Sequence, residues 1–302
     1  MANLKELRGR IKSVKTTQQM TRAMKMVAAA KLRRAQEAII RLRPYAQKLK
    51  EIMDHIGENM AEGIDSPYTK PRTAEKVLMV VVTSNRGLCG PFNANVCKLA
   101  QQTIDEQFSS QKAAGNVEIL CIGKKGFEYF KRRGYKVVGE NQDVFASLSF
   151  DTVSTVCDMV MSGFLEGRWD KVELFFNEFK NVVVQRRTHE HFLPMTADLS
   201  KGDDHGGGSA KASSYADYIF EPDKKEILES MIPRSLKLQF YKAVLESNAG
   251  EQGARMTAMG SATDNAENLL KELRLNYNRE RQAAITKEIL EIVAGANALS
   301  AS

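Results

Sequence analysis

The chain has 302 residues, 43% of them apolar, and a formal net charge of +7. That is enough apolar material for one large domain or two modest ones, and it excludes a disordered chain. No apolar run approaches 18 uninterrupted residues and the start, MANLKELRGR, is charged from Lys5 onward, so neither a transmembrane span nor a signal peptide is expected.

The charge is concentrated at the start. Residues 1–50 hold fourteen Lys and Arg against only Glu6 and Glu37, a balance of +12, which leaves −5 for the rest of the +7 chain. From Asn3 to about Gly57 the segment reads as one helix, on the order of 80 Å long if unbroken. Its apolar positions Leu4, Leu7, Ile11 and Val14 have the 3-4-3 spacing of a coiled-coil seam. The register then lands on Gln18, Thr21 and Lys25, and a neighbouring stripe, Met20, Met24 and Val27, is expected to take over before Leu32, Ala35, Ile39 and Leu42 restore the phase. Pro44 is expected to kink or restart the helix, because its ring clashes with the preceding turn. A bare basic helix also fits a nucleic-acid phosphate backbone, but no aromatic residue accompanies these charges before Tyr45.

Glu62 to Lys76 is a linker with two prolines and a glycine. A different grammar follows it. KVLMVVVTS reads as a buried parallel strand, FNANVCKLAQQTIDEQF as a helix, NVEILCIG as a second strand and KKGFEYFKRRG as a short helix, which together predict a doubly wound α/β domain. Another helix is expected over Leu148–Glu166, and Trp169–Met195 supplies two strands joined near Lys180 and Asn181 as a hairpin. Of the four cysteines, Cys97, Cys121 and Cys157 sit at apolar helix or strand positions; with Cys89 they form no CxxC pair, so buried reduced thiols are expected rather than a disulfide framework.

TSNRGLCGPFN (Thr83–Asn93) lies between a strand and a helix, where a nucleotide phosphate sits in dinucleotide-binding domains, yet it matches neither a GxGxxG nor a P-loop pattern and reads as a structural turn. In THEH, His189 and His191 share one strand face, which suits a solvated surface better than a metal site lacking a third ligand. No spacing of Ser, His, Asp or paired carboxylates favours catalysis. Leu199–Asp217 is Gly/Ser-rich and reads as flexible. Pro233 then reads as a helix start, and Arg234 to about Ala296 is free of proline, room for a helix of roughly 90 Å. It carries the stripes Ala266, Leu270, Leu273, Tyr277 and Ile285, Ile289, Ile292, Ala296, separated by the polar NRERQ. Gly250, Gly253 and Gly260 each cost about 1 kcal/mol inside a helix, so a close approach to that backbone is expected. Two long helices with narrow seams bracket one α/β domain, and they can satisfy their stripes by winding round each other antiparallel.

Three stretches, IKSVKTTQQMTRAMKMVAAAKLRRAQ, SNRGLCGPFN and YNRERQAAITKEILEIVAGANAL, resemble the gamma-subunit family of F-type ATP synthases, and the resemblance spans nearly the whole chain. It implies an α/β protein in which a long antiparallel left-handed coiled coil of N- and C-terminal helices joins a central Rossmann-like α/β domain. The implied domains are an N-terminal shaft helix (1–60), a linker (61–76), a Rossmann-like foot (77–198), the Gly/Ser-rich insertion (199–217) and a C-terminal shaft helix (218–302). The implied work is that of a non-catalytic rotor, turning inside a ring of three alpha and three beta subunits and coupling ion translocation through the c-ring to ATP synthesis or hydrolysis. Further implied partners are the epsilon and delta subunits, at the cytoplasmic face of a bacterial inner membrane, with no nucleic acid, small-molecule substrate, cofactor or metal. The contact residues the resemblance implies are Arg22, Met24 and Lys25 on the first helix and Arg281, Gln282, Thr286 and Glu288 on the last. Arg281 and Gln282 are the pair expected to engage an acidic loop of a beta subunit. Leu199–Asp217 falls where chloroplast relatives carry a regulatory dithiol and has no cysteine here, so thiol regulation is not expected. Two other classes stay open on the residues alone: a basic helical nucleic-acid-binding protein and a nucleotide-binding Rossmann enzyme.

Overall fold

A computed structural model describes residues 4–58, 66–195 and 224–300. The Gly/Ser-rich stretch 199–217 lies outside them. In chain order the elements are α1 (Leu4–Glu58), β1 (Val77–Val82), α2 (Phe92–Gln107), α3 (Ser109–Ala113), β2 (Val117–Ile122), α4 (Lys124–Lys131), β3 (Lys136–Glu140), a 3-10 turn (Asp143–Phe145), α5 (Phe150–Leu165), β4 (Lys171–Phe179), β5 (Gln185–Leu193) and α6 (Lys224–Ser300). They form two compact units, Met1–Ala30 with Arg255–Ser302, and Lys31–Ala254.

The larger unit is built on a five-stranded sheet in the order β3-β2-β1-β4-β5, in which β5 alone is antiparallel. Side chains alternate across a strand, so β1 divides its contacts. Val77, Met79 and Val81 pack with α2 and α4 through Val96, Ala100, Ile104 and Phe130. Leu78, Val80 and Val82 pack with α5 through Val153, Val160 and Phe164. That second face is also covered by Leu49 and Met53 of α1 and by Ile232, Leu236, Phe240 and Val244 of α6. With both faces covered, the parallel strands read as unbroken apolar runs. The expected alternation of strands and helices is present; β3, a fifth strand of only five residues containing a glycine, was not expected.

Pro233 is not the helix start expected of it, and of the two outcomes expected at Pro44 the restart does not occur. Pro44 does not end α1, and α6 begins at Lys224, ahead of Pro233. A proline inside a helix costs about 3 kcal/mol, but each sits within a stretch anchored in the core. Pro44 is exposed, while Leu42, Ala46, Leu49 and Met53 of the same helix meet the core. Ile232 and Leu236 flank Pro233 and are fully buried. At roughly 2 kcal/mol per buried large apolar side chain, two or three such anchors outweigh the lost ladder bond.

The helical glycines also find their reason here. A Cβ on Gly250 would lie 3.4 Å from the Asn177 carbonyl oxygen, and one on Gly253 would lie 3.4 Å from that of Val182, so α6 meets the β4–β5 hairpin through backbone. Gly163 of α5 is tighter: an added Cβ would sit 2.2 Å from Cζ3 of the buried Trp169 indole. Gly163→Ala is therefore expected to destabilise the protein by about 1–3 kcal/mol or more, read as a lower urea midpoint with an unchanged slope; an unshifted midpoint would show that the indole can move aside.

Candidate functional site

The smaller unit is a pair of antiparallel helical segments, Leu4–Ala30 of α1 and Arg255–Ser300 of α6. Arg8 donates to the Tyr277 hydroxyl at 2.9 Å, the Thr21 and Thr263 hydroxyls meet at 2.8 Å, and the Lys25 side chain lies over Gly260. Residue numbers thus rise on one helix as they fall on the other. Leu7, Thr21 and Ala28 are buried on α1, opposite Met259, Ala266, Leu270 and Leu273 on α6.

The seam keeps its register at Gln18 and Thr21; of the neighbouring stripe only Met24 turns partly inward, at the turn where Lys25 is exposed. Met20 is 60% exposed and Val27 56%, whereas Gln18 is half-buried and Thr21 buried. The polar positions are tolerated because their hydroxyls are satisfied. The Gln18 carbonyl lies 3.0 Å from the Thr21 hydroxyl and that of Met259 2.7 Å from Thr263, so with one proton each, one hydroxyl donates to its carbonyl and the other across the seam. Lys25 keeps its place because Gly260 leaves a groove for its methylene stem. The bond between the two hydroxyls is available in this alignment alone and so favours it.

The second stripe of α6 has a different fate. Tyr277 already faces Arg8, so positions beyond about 281 run past Leu4, the first described residue of α1. Ile285, Ile289 and Ile292, expected in the seam, are instead 47%, 54% and 71% exposed, with Leu290 and Val293 exposed beside them. No described residue of α1 lies opposite them. Sequence reasoning missed this patch, because it placed both stripes of α6 in the seam.

The seven expected contact residues fall at two stations on this unit. Arg22 and Lys25 are exposed and Met24 is half-buried, at the level of Gly260–Thr263. Arg281, Gln282, Thr286 and Glu288 are all exposed, at and beyond the level of Leu4. Some 20 residues of helix separate the stations, about 30 Å, so they do not make one cluster. Between them Arg8 holds the Tyr277 phenol below its ordinary pKa through their hydrogen bond, with Arg281 adding to the same effect.

The larger unit holds polar features that sequence reasoning placed differently. His189 and His191 do share a strand face, but both rings turn onto Glu173 of β4, His189 Nε2 at 2.7 Å from Oε2 and His191 Nδ1 at 3.0 Å from Oε1. Lys171 Nζ is 2.9 Å from Oε1, and the Glu173 side chain is only 2% exposed. Burial works to raise this carboxyl's pKa, but the hydrogen bonds from His189, His191 and Lys171 outweigh it and hold it at about 2. The Thr83–Asn93 loop is closed on itself: Ser84 N–H donates to Asn93 Oδ1 at 2.9 Å, and Asn93 Nδ2 donates back to Ser84 Oγ at 2.7 Å. The amide that leaves the strand is therefore committed to a turn. None of the four cysteines is in a disulfide and all are buried, and burial pushes the Cys97 and Cys157 thiols up to about 12.

Comparison with known proteins gives one consistent result. A protein-family model described as ATP synthase matches residues 3–299. The ATP synthase gamma chain of Cytophaga hutchinsonii is 51% identical over 300 residues, 99% of this chain and 100% of that one. The gamma chain of Chloroherpeton thalassium is 48% identical and covered in full on both sides. Among solved structures, a chain in the rotor of the Euglena gracilis mitochondrial ATP synthase aligns with a TM-score of 0.64 at 22% identity, over 93% of this chain and 98% of that one. A chain in the central stalk and c-ring of the Tetrahymena thermophila enzyme aligns at 0.56 and 24%, over 80% and 99%.

Two outcomes are expected from this geometry. The folded value of Glu173 lies below the ordinary 4.5, so its stabilisation is complete above that value and fades as pH falls towards 2, a difference of roughly 3 kcal/mol. The stability gap between wild type and Glu173→Gln should accordingly narrow in urea titrations below pH about 4.5; a gap constant with pH would show that the carboxylate charge is not what the histidines stabilise. Gly260→Ala should be neutral or stabilise by up to about 1 kcal/mol, because a Cβ there meets only the flexible end of Lys25 at ordinary contact distance; a loss of melting temperature would mean the Lys25 stem cannot shift.

Proposed function

This chain belongs to the ATP synthase gamma chain family, and from that premise we propose that it is the central-stalk rotor subunit of an F-type ATP synthase. It turns inside the alpha3-beta3 ring and couples proton or sodium translocation through the c-ring to ATP synthesis or hydrolysis on the beta subunits. It is a subunit of the ATPase complex that carries no catalytic residue of its own, and it sits peripherally at the cytoplasmic face of the bacterial inner membrane. Among the described residues no helix is long and apolar enough to cross a membrane. The epsilon and delta subunits are further partners in the same complex. Chain segments follow the same plan: shaft helices at 1–60 and 218–302, a linker at 61–76, a foot at 77–198 and an insertion at 199–217.

One observation carries this reading. The paired helices spend their apolar stripe on each other and leave an exterior that is basic and studded with Met20 and Met26. A shaft inside a threefold housing cannot present a wide apolar face to one wall, since at about 25 cal/mol per Å² such a contact would trap it at one angle. Exposed ion pairs contribute about 0–1 kcal/mol each, and Met packs without demanding a fixed shape. Such contacts can be made and broken repeatedly.

Coupling then follows from linkage. A partner shifts a conformational equilibrium only through differential affinity for its states, and the effect is reciprocal. An asymmetric shaft touches three chemically identical beta subunits unequally, so rotor angle sets nucleotide affinity and nucleotide occupancy sets rotor angle. Arg22, Met24 and Lys25 form one contact station and Arg281, Gln282, Thr286 and Glu288 the other. Arg281 is the residue suited to fork onto a carboxylate of the ring, and the exposed Ile285, Ile289 and Ile292 give the end of α6 an apolar surface beside it.

Arg281→Ala with Gln282→Ala is expected to lower ATP turnover in the assembled complex several-fold, while the isolated chain keeps its circular dichroism and melting curve. Unchanged turnover in the assembled complex would remove these two residues from the coupling contact.

A further inference from the structure

At the end of the parallel sheet where its strands begin, the chain gathers a set of cations that the rotor role does not use. Lys76 immediately precedes β1, Asn116 precedes β2, Lys136 opens β3, and Arg168 and Trp169 precede β4. Because β1 to β4 run parallel, these positions come to one edge of the sheet. It is the edge opposite the Thr83–Asn93 turn, and so opposite the crevice where doubly wound sheets hold nucleotides. A cleft of about 350 Å³ lies there, lined by these residues and by Glu118.

The side chains in the cleft are organised around one carboxylate. Glu118 is 12% exposed; Trp169 Nε1 donates to its Oε2 at 2.9 Å, Arg168 reaches the same oxygen at 3.3 Å, and Lys136 Nζ pairs with Oε1. The Arg168 guanidinium also sits 4.7 Å from the Trp169 ring centroid. Glu118 therefore fixes the two cations at the rim and spends few of their donors. A guanidinium has five N–H groups in a planar fork, and an ammonium has three. Lys76 enters the fold through its backbone N–H, which donates to Asp170 Oδ2 at 2.9 Å. Three cations against one carboxylate leave the lining at +2.

We propose that the cleft formed by Lys76, Lys136, Arg168 and Glu118 at the strand-starting edge of the sheet is a binding site for a phosphate-class anion. The +2 lining favours a dianion or a headgroup phosphate over a monovalent ion, and the Arg168 fork suits two phosphate oxygens side by side. The cleft is open and all three of its cations are exposed, so the affinity falls with added salt. Two sources present this chemistry: free phosphate, and the phosphodiester of an anionic lipid at the surface to which the complex is bound.

The test compares the full-length wild-type chain with Lys76→Gln, with Lys136→Gln plus Arg168→Gln, and with a control of equal charge change at the other end of the domain, Lys98→Gln plus Lys124→Gln. Inorganic phosphate is titrated at low salt by calorimetry, and each protein is also spun down with phosphatidylcholine vesicles with and without phosphatidylglycerol. Phosphate should bind wild type and control alike and about tenfold more weakly to the Lys136/Arg168 double variant, the loss of one or two charge-assisted hydrogen bonds. Lys76→Gln guards against a folding defect, because its side chain is not part of the Glu118 network, and it should also weaken binding. If retention on anionic vesicles drops with the same variants and not with the control, the source is a lipid headgroup; if phosphate binding alone drops, the source is the free anion. Equal phosphate affinity in all four proteins, or no measurable binding to wild type, overturns the site.

Discussion

Everything in the smaller unit depends on the narrowness of its seam. Each helix offers little more than one apolar side chain per turn, and the partner's stripe consumes it. Alongside that seam, from Leu4 to its partner level on α6, the outside is mostly charged and polar with scattered Met20, Met26, Leu269 and Leu275, a surface with no wide apolar face to release against a neighbour. The hydroxyl pair of Thr21 and Thr263 adds alignment: each hydroxyl has a carbonyl acceptor on its own helix, but the bond across the seam forms only when these two residues meet. A thin seam and a fixed register together make a rod that is stiff inwardly and indifferent outwardly.

The same two helices obey other rules in the larger unit. There Leu49 and Met53 of α1 and Ile232, Leu236, Phe240 and Val244 of α6 join the core on one face of the sheet. Burial of that width explains why proline is accepted inside both helices and why Gly250 and Gly253 appear where α6 meets the β4–β5 hairpin. One continuous helix thus has two kinds of surroundings, and its residue pattern changes with them. Between Ile232 and Ala254 roughly every second residue is buried, whereas from Met259 to Leu273 burial recurs only at coiled-coil spacing.

This division accounts for what could be read ahead of the structure. Strands buried on both faces announce themselves as apolar runs, so β1, β2 and β4 were legible, and the hairpin with β5 followed from the short polar break between two strand-like runs. β3 was not, because at five residues, one of them Gly139, its identity comes from pairing with β2 rather than from its own composition. The shared face of His189 and His191 followed from strand alternation; their partner did not, since Glu173 lies on the neighbouring strand and only the register, Glu173 opposite His191, brings it within reach. The false stripe through Met20 and Val27 came from ranking positions by apolarity, where the seam is decided by geometry and by which polar groups find partners. Of the candidate contact residues, their exposure and the two levels at which they stand are structural, while their assignment as contacts comes from the family's motifs.

The uncovered end of α6 sharpens the physical picture of the proposed rotor. If the seam had extended to Ile292, the helix pair would present only polar surface along its whole length, and nothing would centre it in its housing. Instead Ile285, Ile289, Ile292 and Val293, beyond the level of Leu4, are exposed over about two turns of α6. A patch of this size on a cylinder about 10 Å across can be surrounded evenly by a symmetric apolar collar, with the same contact energy at every angle, so it resists tilting without resisting rotation. The basic side chains about 30 Å away have the opposite property, since the energy of a charge facing discrete opposite charges would vary with angle. Uniform apolar contact at the end and angle-dependent polar contact along the side are the two requirements of a shaft that must be held in place and still transmit its orientation.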